Sequence, residues 1–162
     1  SDVLRLLALT PHYQQNIALF IQMLFFNCLI GAPDAHAKNY SLLLAPGPTA
    51  LIAPLYDVAS GLAYDALRRK GRLAMSIGGE NRFVRISSQA LGRFVRNGGI
   101  DELGFDRAWC TDAMAMLADR ILDSLGKVFD NEAHIPGCDD LRARLEDPIV
   151  NNCKTILAQL GA

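Results

Sequence analysis

Four residues that could take part in acid–base, metal or phosphate chemistry lie within six positions of one another. Asp34, His36, Lys38 and Asn39 separate two apolar segments in LIGAPDAHAKNYSLLL, residues 29–44. An aspartate can accept a proton, an amide oxygen can bind a hard cation, and a lysine can neutralise phosphate charge. The stretch is either an ordinary turn or a site in which rigid flanking segments hold an acid, an amide and a cation in place.

The five-residue separation of Asp34 and Asn39 is that of a kinase catalytic loop, in which the aspartate meets the attacking hydroxyl and the asparagine holds magnesium. The spacing alone is weak evidence, because Asp147 and Asn152 repeat it. We interpret that second pair as a helix N-cap and a solvated helix face. Asp57 directly follows an apolar segment and is expected to return beside Asn39 across a hairpin. Magnesium is coordinated well by a carboxylate and an amide oxygen together with phosphate oxygens.

The elements that position these residues are predicted to be mainly α-helical, with two small β-hairpins in the front half of the chain. Four segments have the apolar pattern of helices: 12–30, 87–97, 105–129 and 139–160. Three segments have the pattern of hairpin strands and their turns: 40–44, 50–56 and 72–87. Gly78 and Gly79 are expected at the second turn, and Pro148 is expected to break the last helix or to begin a new one.

Composition limits the class of protein. At 162 residues the chain can form one domain with a core, and a hydrophobic fraction of 51% with net charge −1 excludes a disordered tail or a strongly basic nucleic-acid binder. The four cysteines have no Cys-x-x-Cys spacing and predict buried, reduced thiols of a cytoplasmic protein rather than a disulfide framework or zinc site. The most apolar stretch, 17–30, is too short to cross a bilayer, so we expect no membrane partner. The chain does not begin with methionine, which suggests a piece of a longer protein.

Three segments together resemble the C-terminal lobe of the HipA family: FNCLIGAPDAHAKNYSLLL (26–44), LIAPLYDVASGLAY (51–64) and LAMSIGG (73–79). HipA proteins are bacterial serine/threonine kinases that act as toxins of toxin–antitoxin pairs. The resemblance implies a protein-kinase-like C-terminal helical lobe over residues 1–162. It makes Asp34 the catalytic aspartate, with Asn39 and Asp57 as Mg²⁺ ligands. It also places five residues against the phosphates of ATP, the co-substrate: His36, Lys38, Asn39, Tyr56 and Asp57.

The same resemblance implies partners and a missing part. The substrate would be a protein of the translation machinery, such as an aminoacyl-tRNA synthetase. A small helix-turn-helix antitoxin would be the partner, with DNA contacted only through it. The family's kinases also need an N-terminal lobe with a phosphate-covering loop and a strand lysine, which this sequence does not show. The 162 residues alone are therefore expected to hold Mg²⁺-ATP poorly and to transfer phosphate slowly or not at all.

Two other functions remain open. Lipid or small-molecule kinases of the phosphoinositide-kinase type also use an Asp-x-His-x-x-Asn loop, although the LAMSIGG hairpin argues against them. A truncated lobe could instead be a non-catalytic module that binds the antitoxin.

The same residues also have ordinary structural interpretations. Asp34 could be a turn former, Asn39 could hydrogen-bond a strand edge, and Asp57 could cap a helix that starts at Val58. The basic run 68–72 is expected to be a solvated loop that could touch an acidic partner or DNA.

Overall fold

A computed structural model describes residues 2–161. Its α-helices are α1 (Asp2–Ala8), α2 (Tyr13–Leu29), α3 (Asp65–Lys70), α4 (Ser88–Gly98), α5 (Arg107–Asn131) and α6 (Cys138–Leu160). Its strands are β1 (Leu42–Ala45), β2 (Thr49–Ile52), β3 (Arg72–Ile77) and β4 (Glu80–Arg82). Short 3₁₀ turns lie at Ala37–Asn39, Gly61–Ala63, Phe83–Arg85 and Asp101–Leu103. The predicted mainly helical architecture with two small hairpins is confirmed.

Helix α2 forms the centre of the core, as its apolar sequence predicts. Helices α5 and α6 pack against it and against each other, and α1 also packs against it. Seven of its apolar side chains are at most 2% exposed: Ile17, Phe20, Ile21, Leu24, Phe25, Cys28 and Leu29. Because each such burial contributes roughly 1.5–3 kcal/mol, α2 is a rigid support for the residues that follow it.

No helix within residues 2–161 combines the length and apolar character needed to cross a bilayer. All four cysteines are buried and free, as predicted from their spacing.

The first hairpin is shorter than its sequence suggests. Strands β1 and β2 pair antiparallel, with Leu42 opposite Ile52. The ladder was predicted to continue to residue 56, but it ends after Ala53, whose N–H donates to the Ser41 carbonyl at 2.8 Å. Pro54 has no N–H to continue it. Residues 53–56 therefore reach Asp57 as an irregular segment rather than as a strand.

The second hairpin forms around the predicted turn. Ile77 and Glu80 face each other across Gly78 and Gly79, whose φ angles are +60° and +84°. Two consecutive positive φ angles are typical of the tight hairpin turns that glycine favours. Strand β4 then ends at Arg82, where a 3₁₀ turn begins.

The predicted break at Pro148 is wrong, because α6 runs through it without interruption. Proline removes the N–H that would bond to the Arg144 carbonyl. The residues that follow, Ile149, Cys153 and Ile156, are at most 5% exposed. Their packing in the core stabilises the helix through Pro148 in spite of the missing hydrogen bond.

Two helices were not predicted from the sequence. Helix α1 places Leu4 and Leu7 in the core, each 3% exposed. Helix α3 stands where a solvated loop was expected, although its basic residues are exposed as predicted. Both helices have seven residues or fewer, too short for a clear periodic pattern.

Candidate active site

The loop with Asp34 begins where α2 ends, and a second segment is docked onto that end. Gly31 follows α2 with φ +64°, and a Cβ there would lie 2.5 Å from Cγ of Leu62. Ser60 Oγ donates to the Ile30 carbonyl at 2.6 Å, and the Gly61 N–H donates to the Gly31 carbonyl at 2.9 Å. Only glycine allows this conformation and this close approach together. The chain after Asp57 is thereby held against the entrance of the loop.

Main-chain hydrogen bonds make the loop compact. The His36 N–H donates to the Asp34 carbonyl at 2.8 Å, and the Asn39 N–H donates to the His36 carbonyl at 2.9 Å. The Asp34 side chain stays 83% exposed. Its carboxylate is therefore open to a substrate while its backbone is fixed.

Asn39 connects the loop to Asp57. Its side chain belongs to a residue that is 7% exposed, and its Nδ2 donates to the Asp34 carbonyl at 3.2 Å and to Asp57 Oδ2 at 3.4 Å. A carbonyl oxygen can only accept, so this contact sets which end of the amide faces the loop. Asn39 Oδ1 accepts no hydrogen bond within residues 2–161. The structure thus brings Asp34, Asn39 and Asp57 together.

Asp57 has an unusual backbone. Among residues 2–161 it is the one non-glycine residue with positive φ, at 55°. Aspartate tolerates this region better than most residues, but the conformation still costs roughly 1–3 kcal/mol. The helix that Asp57 could have capped does not form at Val58; the nearby 3₁₀ turn is capped by Ser60 Oγ, which accepts from the Leu62 N–H at 3.2 Å. Strain at Asp57 therefore accompanies a carboxylate turned toward Asn39, not a helix cap.

Tyr56 and Lys38 differ in how far the protein itself binds their polar groups. The Tyr56 hydroxyl donates to the Lys38 carbonyl at 3.0 Å and lies 2.7 Å from Ser41 Oγ. Its polar group is thus already bound by the protein, and it ties the segment before Asp57 to the loop. The Lys38 side chain is exposed and forms no ion pair within residues 2–161, so its charge is free for an anionic ligand.

His36 lies beside Asp34 and is incompletely satisfied. Its Nε2 is 3.7 Å from Asp34 Oδ1, whereas its buried Nδ1 has no hydrogen-bond partner in the described part of the chain. Such an atom lowers stability until a ligand or water completes it.

The donor set fits magnesium better than a softer metal. Residues 2–161 contain no group of three or more His, Cys, Asp or Glu side chains arranged to hold a metal ion. One amide oxygen and one carboxylate are what Mg²⁺ takes from a protein when phosphate oxygens and water complete its shell. Asn39 and Asp57 provide that pair.

Two buried asparagines on α2 fix the surrounding elements, and sequence reasoning missed their role. Asn16 donates to the Ala50 carbonyl and accepts from the Ile52 N–H, both at 2.9 Å. Asn27 donates to the Tyr40 hydroxyl at 3.0 Å. Burial raises the pKa of Tyr40, against the smaller opposite effect of the Asn27 bond. The sequence did carry a signal for this role: Asn16 and Asn27 lie inside a predicted apolar helix, and buried amides need hydrogen-bond partners.

Asn152 corrects the interpretation of the second Asp-x-x-x-x-Asn pair. It is neither solvated nor near a helix start: it is 4% exposed, and Asp147 lies inside α6. Its Nδ2 donates to the Cys28 carbonyl at 3.0 Å and to the Leu29 carbonyl at 2.7 Å. These are terminal carbonyls of α2, which lack partners in their own helix. Asn152 therefore closes the end of α2 from which the loop departs.

Comparison with known proteins points to one family. The family model described as HipA-like C-terminal domain matches residues 1–125. The Sinorhizobium fredii protein "Putative kinase Y4mE" is 30% identical over 124 residues, which cover 74% of this chain and 28% of that protein. "Putative kinase Y4dM" from the same organism is 41% identical over 49 residues, 30% of this chain and 12% of its own.

A solved structure extends the likeness to nearly the whole chain. HipA of Shewanella oneidensis MR-1, in the complex of that toxin–antitoxin system with HipB and its operator DNA, superposes with a TM-score of 0.75 and 25% identity. The match covers 96% of this chain and 35% of that one. The fold is thus that of a kinase-like C-terminal lobe, and the chain spans about a third or less of the length of these relatives.

Proposed function

Because the chain belongs to the HipA-like C-terminal domain family, we propose that it is the helical lobe of a serine/threonine-protein kinase, the toxin of a toxin–antitoxin pair. The observation that carries the proposal is the Asn39 amide, which lies within hydrogen-bond distance of both the Asp34 carbonyl and the Asp57 carboxylate. Phosphoryl transfer depends chiefly on positioning and charge neutralisation, and this arrangement supports both.

Asp34 is proposed as the base. Its exposed carboxylate would accept the proton of an acceptor Ser or Thr hydroxyl as that oxygen attacks the γ-phosphorus of ATP. The hydrogen bonds from His36 and Asn39 to the Asp34 carbonyl hold the residue in place during that transfer. The free Lys38 ammonium would reduce the negative charge of the phosphates. Tyr56 and His36 would border the nucleotide, Tyr56 through its ring, because its hydroxyl is already engaged.

Asn39 and Asp57 would hold Mg²⁺ through Oδ1 of the amide and the carboxylate. The bound ion would neutralise phosphate charge, which is its usual contribution to this reaction. The role of the protein is to keep the two oxygen ligands on one side of the loop. It does so through the Asn39–Asp57 hydrogen bond and the backbone conformation of Asp57.

The proposed partners follow from the relatives. Because the Shewanella HipA structure contains HipB and operator DNA, we infer a small helix-turn-helix antitoxin as the partner here, with DNA contacted only through it. The proposed substrate is a protein of the translation machinery, with aminoacyl-tRNA synthetases as the first class to test. Residues outside these 162 would supply the N-terminal lobe that covers the phosphates.

A phosphotransfer assay tests this function. The complete product of the reading frame is incubated with [γ-³²P]ATP, Mg²⁺ and either purified aminoacyl-tRNA synthetases or phosphatidylinositol vesicles. We expect label on protein, and a loss of roughly a thousandfold or more in Asp34→Asn and Asp57→Asn. Asp112→Asn is the matched control, since Asp112 is exposed on α5 and forms no ion pair within residues 2–161.

Label on the lipid instead of the protein would favour the phosphoinositide-kinase type. Antitoxin binding without any phosphotransfer would favour a non-catalytic module.

A further inference from the structure

Residues 66–100 concentrate positive charge in a chain that is otherwise acidic. They contain eight of the 16 Lys and Arg residues and one of the 17 Asp and Glu residues, a formal charge of +7 in a chain whose total is −1. Five of these cations meet where α3 ends, β3 begins and β4 ends. We call them the basic surface: Arg69, Lys70, Arg72, Arg82 and Arg85. Arg82 is half-buried and the other four are exposed.

The basic surface is short of counter-charges. Arg72 donates to Asn81 Oδ1 at 2.7 Å, and the other four members form no ion pair or side-chain hydrogen bond within residues 2–161. The acid closest in sequence, Glu80, accepts the N–H groups of Asn81 and Arg82 at 2.9 Å each, and its single charge also interacts electrostatically with Arg85 and Arg82. The protein itself therefore leaves most of this charge unpaired.

The fold holds two of these arginines against each other. Arg72 and Arg82 are direct cross-strand partners in the β3–β4 ladder. Like charges directly opposite each other destabilise a sheet. The C-terminus of α3 favours nearby cations and explains Arg69 and Lys70, but it does not explain the strand pair. An anion placed between the strands and α3 would relieve this repulsion.

The basic surface lies within reach of the candidate active site. Gly61 is hydrogen-bonded to Gly31, three residues before Asp34. From Gly61 the chain reaches Arg69 within about 20 Å, and Asp34 lies at most about 11 Å from Gly31. The two sites are therefore no more than about 35 Å apart, the length of an extended peptide of about ten residues.

We propose that the basic surface binds an acidic segment, a run of Asp and Glu residues, of the protein acceptor whose hydroxyl is presented to Asp34. Four of its five members are arginines, which bind carboxylates through paired N–H groups. A nucleic-acid interface is a poorer fit, because such domains are usually strongly basic whereas this chain has a pI of about 6.3. The inference rests on the proposed function, and it adds a class of substrate to it.

Fluorescence anisotropy with the 162-residue chain tests the inference without ATP. The probes are fluorescein-labelled octaglutamate and octaglutamine. We expect octaglutamate to bind at 50 mM NaCl at least tenfold more tightly than octaglutamine, and to weaken steeply by 300 mM NaCl. The variant R69Q/R82Q/R85Q should lose at least tenfold in affinity.

The matched control, R120Q/K127Q/K154Q, removes three exposed cations from α5 and α6 and should bind octaglutamate within twofold of the unmodified chain. Thermal melting of both variants verifies that they fold. Equal affinity for the two peptides, or equal loss in the two variants, would overturn the inference. So would tighter binding of an oligothymidylate with eight phosphates that depends on the same arginines, because it would assign the surface to nucleic acid.

Failure of this inference can be told apart from failure of the proposed function. Asp34→Asn should bind octaglutamate normally while phosphotransfer is lost. Phosphotransfer that depends on Asp34 without any octaglutamate binding contradicts the acidic-acceptor inference alone. Octaglutamate binding without phosphotransfer contradicts the kinase proposal alone.

Discussion

The Asn39 amide reaches toward Asp34 and Asp57 at once, so one buried side chain sets the separation between the proposed base and the second proposed metal ligand. A buried amide in this position must remain hydrogen-bonded, because an unpaired one costs roughly 1–3 kcal/mol. Its contacts therefore hold the site in one geometry before any ligand arrives. Asn152 supports the same loop at its start, because its amide donates to the Cys28 and Leu29 carbonyls at the end of α2.

Replacing Asn152 with alanine should lower the free energy of unfolding by about 2–3 kcal/mol. The change removes the amide donor from the Cys28 and Leu29 carbonyls, which keep only the Gly31 N–H and the weak Cys153 thiol donor respectively, and it opens a small cavity. Urea denaturation followed by circular dichroism measures the loss. Asn151→Ala is the control, because Asn151 is exposed on the same helix and should change stability by less than about 0.5 kcal/mol. Equal effects of the two changes would show that the bonds to α2 contribute nothing.

The buried thiols predict a fall in stability at alkaline pH. Burial raises the pKa of Cys110 and of Cys153 to about 12, from 9.0 in an unfolded chain. Because the folded pKa is the higher one, unfolding releases protons above pH 9. The free energy of unfolding therefore falls between pH 9 and 12, by roughly 1.4 kcal/mol per pH unit for each thiol. Urea denaturation at pH 8 and pH 10 measures this loss.

Cys110→Ala isolates one thiol from the other groups that titrate at high pH. Its loss of stability from pH 8 to 10 should be about 1 kcal/mol smaller than that of the unmodified chain. An unchanged pH dependence would mean that the Cys110 thiol ionises equally in the folded and unfolded chains.

At the scale of elements, the two hairpins have different supports. The first is tied to α2 by Asn16, whose amide bonds to both ends of β2. The second is held against α4 at its turn: Arg93 Nε donates to the Gly78 carbonyl at 2.7 Å, and a Cβ on Gly78 would collide with the Ala90 carbonyl oxygen. The LAMSIGG turn is therefore a packing contact as well as a chain reversal.

Gly78→Ala and Gly79→Ala form a matched pair that tests this contact. Both residues have positive φ, but no atom lies within 4 Å of a Cβ on Gly79. Gly79→Ala should cost about 1 kcal/mol, from backbone strain alone. Gly78→Ala should cost at least about 3 kcal/mol, because the turn must also move away from α4. Thermal unfolding measures both, and equal costs would refute a close contact between the turn and α4.

At the scale of the whole molecule, helices surround α2, the candidate site residues come from the loop 34–39 and the segment 56–57, and half of the Lys and Arg residues lie in residues 66–100. The relatives are about three or more times longer than the matched region. The groups described above are proposed to act on the acceptor hydroxyl and on magnesium. Residues 2–33 contain one glycine, Gly31, so no glycine-rich sequence precedes Asp34 there.

We therefore expect the 162-residue chain to bind Mg²⁺-ATP at least a hundredfold more weakly than the complete product of its reading frame, equivalent to about 2.7 kcal/mol. The expected cause is the loss of contacts to the adenine and the outer phosphate oxygens. Isothermal titration calorimetry measures both affinities. Asp57→Asn in the complete protein should remove most of the magnesium dependence of ATP binding, whereas Asp112→Asn should not. Equal affinities for the two lengths would contradict the proposed division of the kinase into two lobes.

Much of the architecture followed from short-range patterns in the sequence. The apolar run before Gly31 predicted α2, and the glycine pair predicted the β3–β4 turn. The residue types at 34 and 39 gave a hypothesis for the chemistry of the loop, which stays a prediction. These patterns are readable because helical periodicity and turn conformation depend on residues only a few positions apart.

Only the tertiary structure decided how distant residues meet. It ended β2 at Ile52, so that Asp57 reaches Asn39 through an irregular segment, carried α6 through Pro148, and placed the Asn152 amide on the end of α2 across more than 120 positions of sequence. Each outcome depends on packing free energy that several elements share. This free energy outweighs the local preference of residues 53–56 for a strand, of Pro148 for a helix break and of Asn152 for a solvated face. The local sequence gives the conformational preference of a segment, and the packing of the folded core determines whether the segment adopts that conformation.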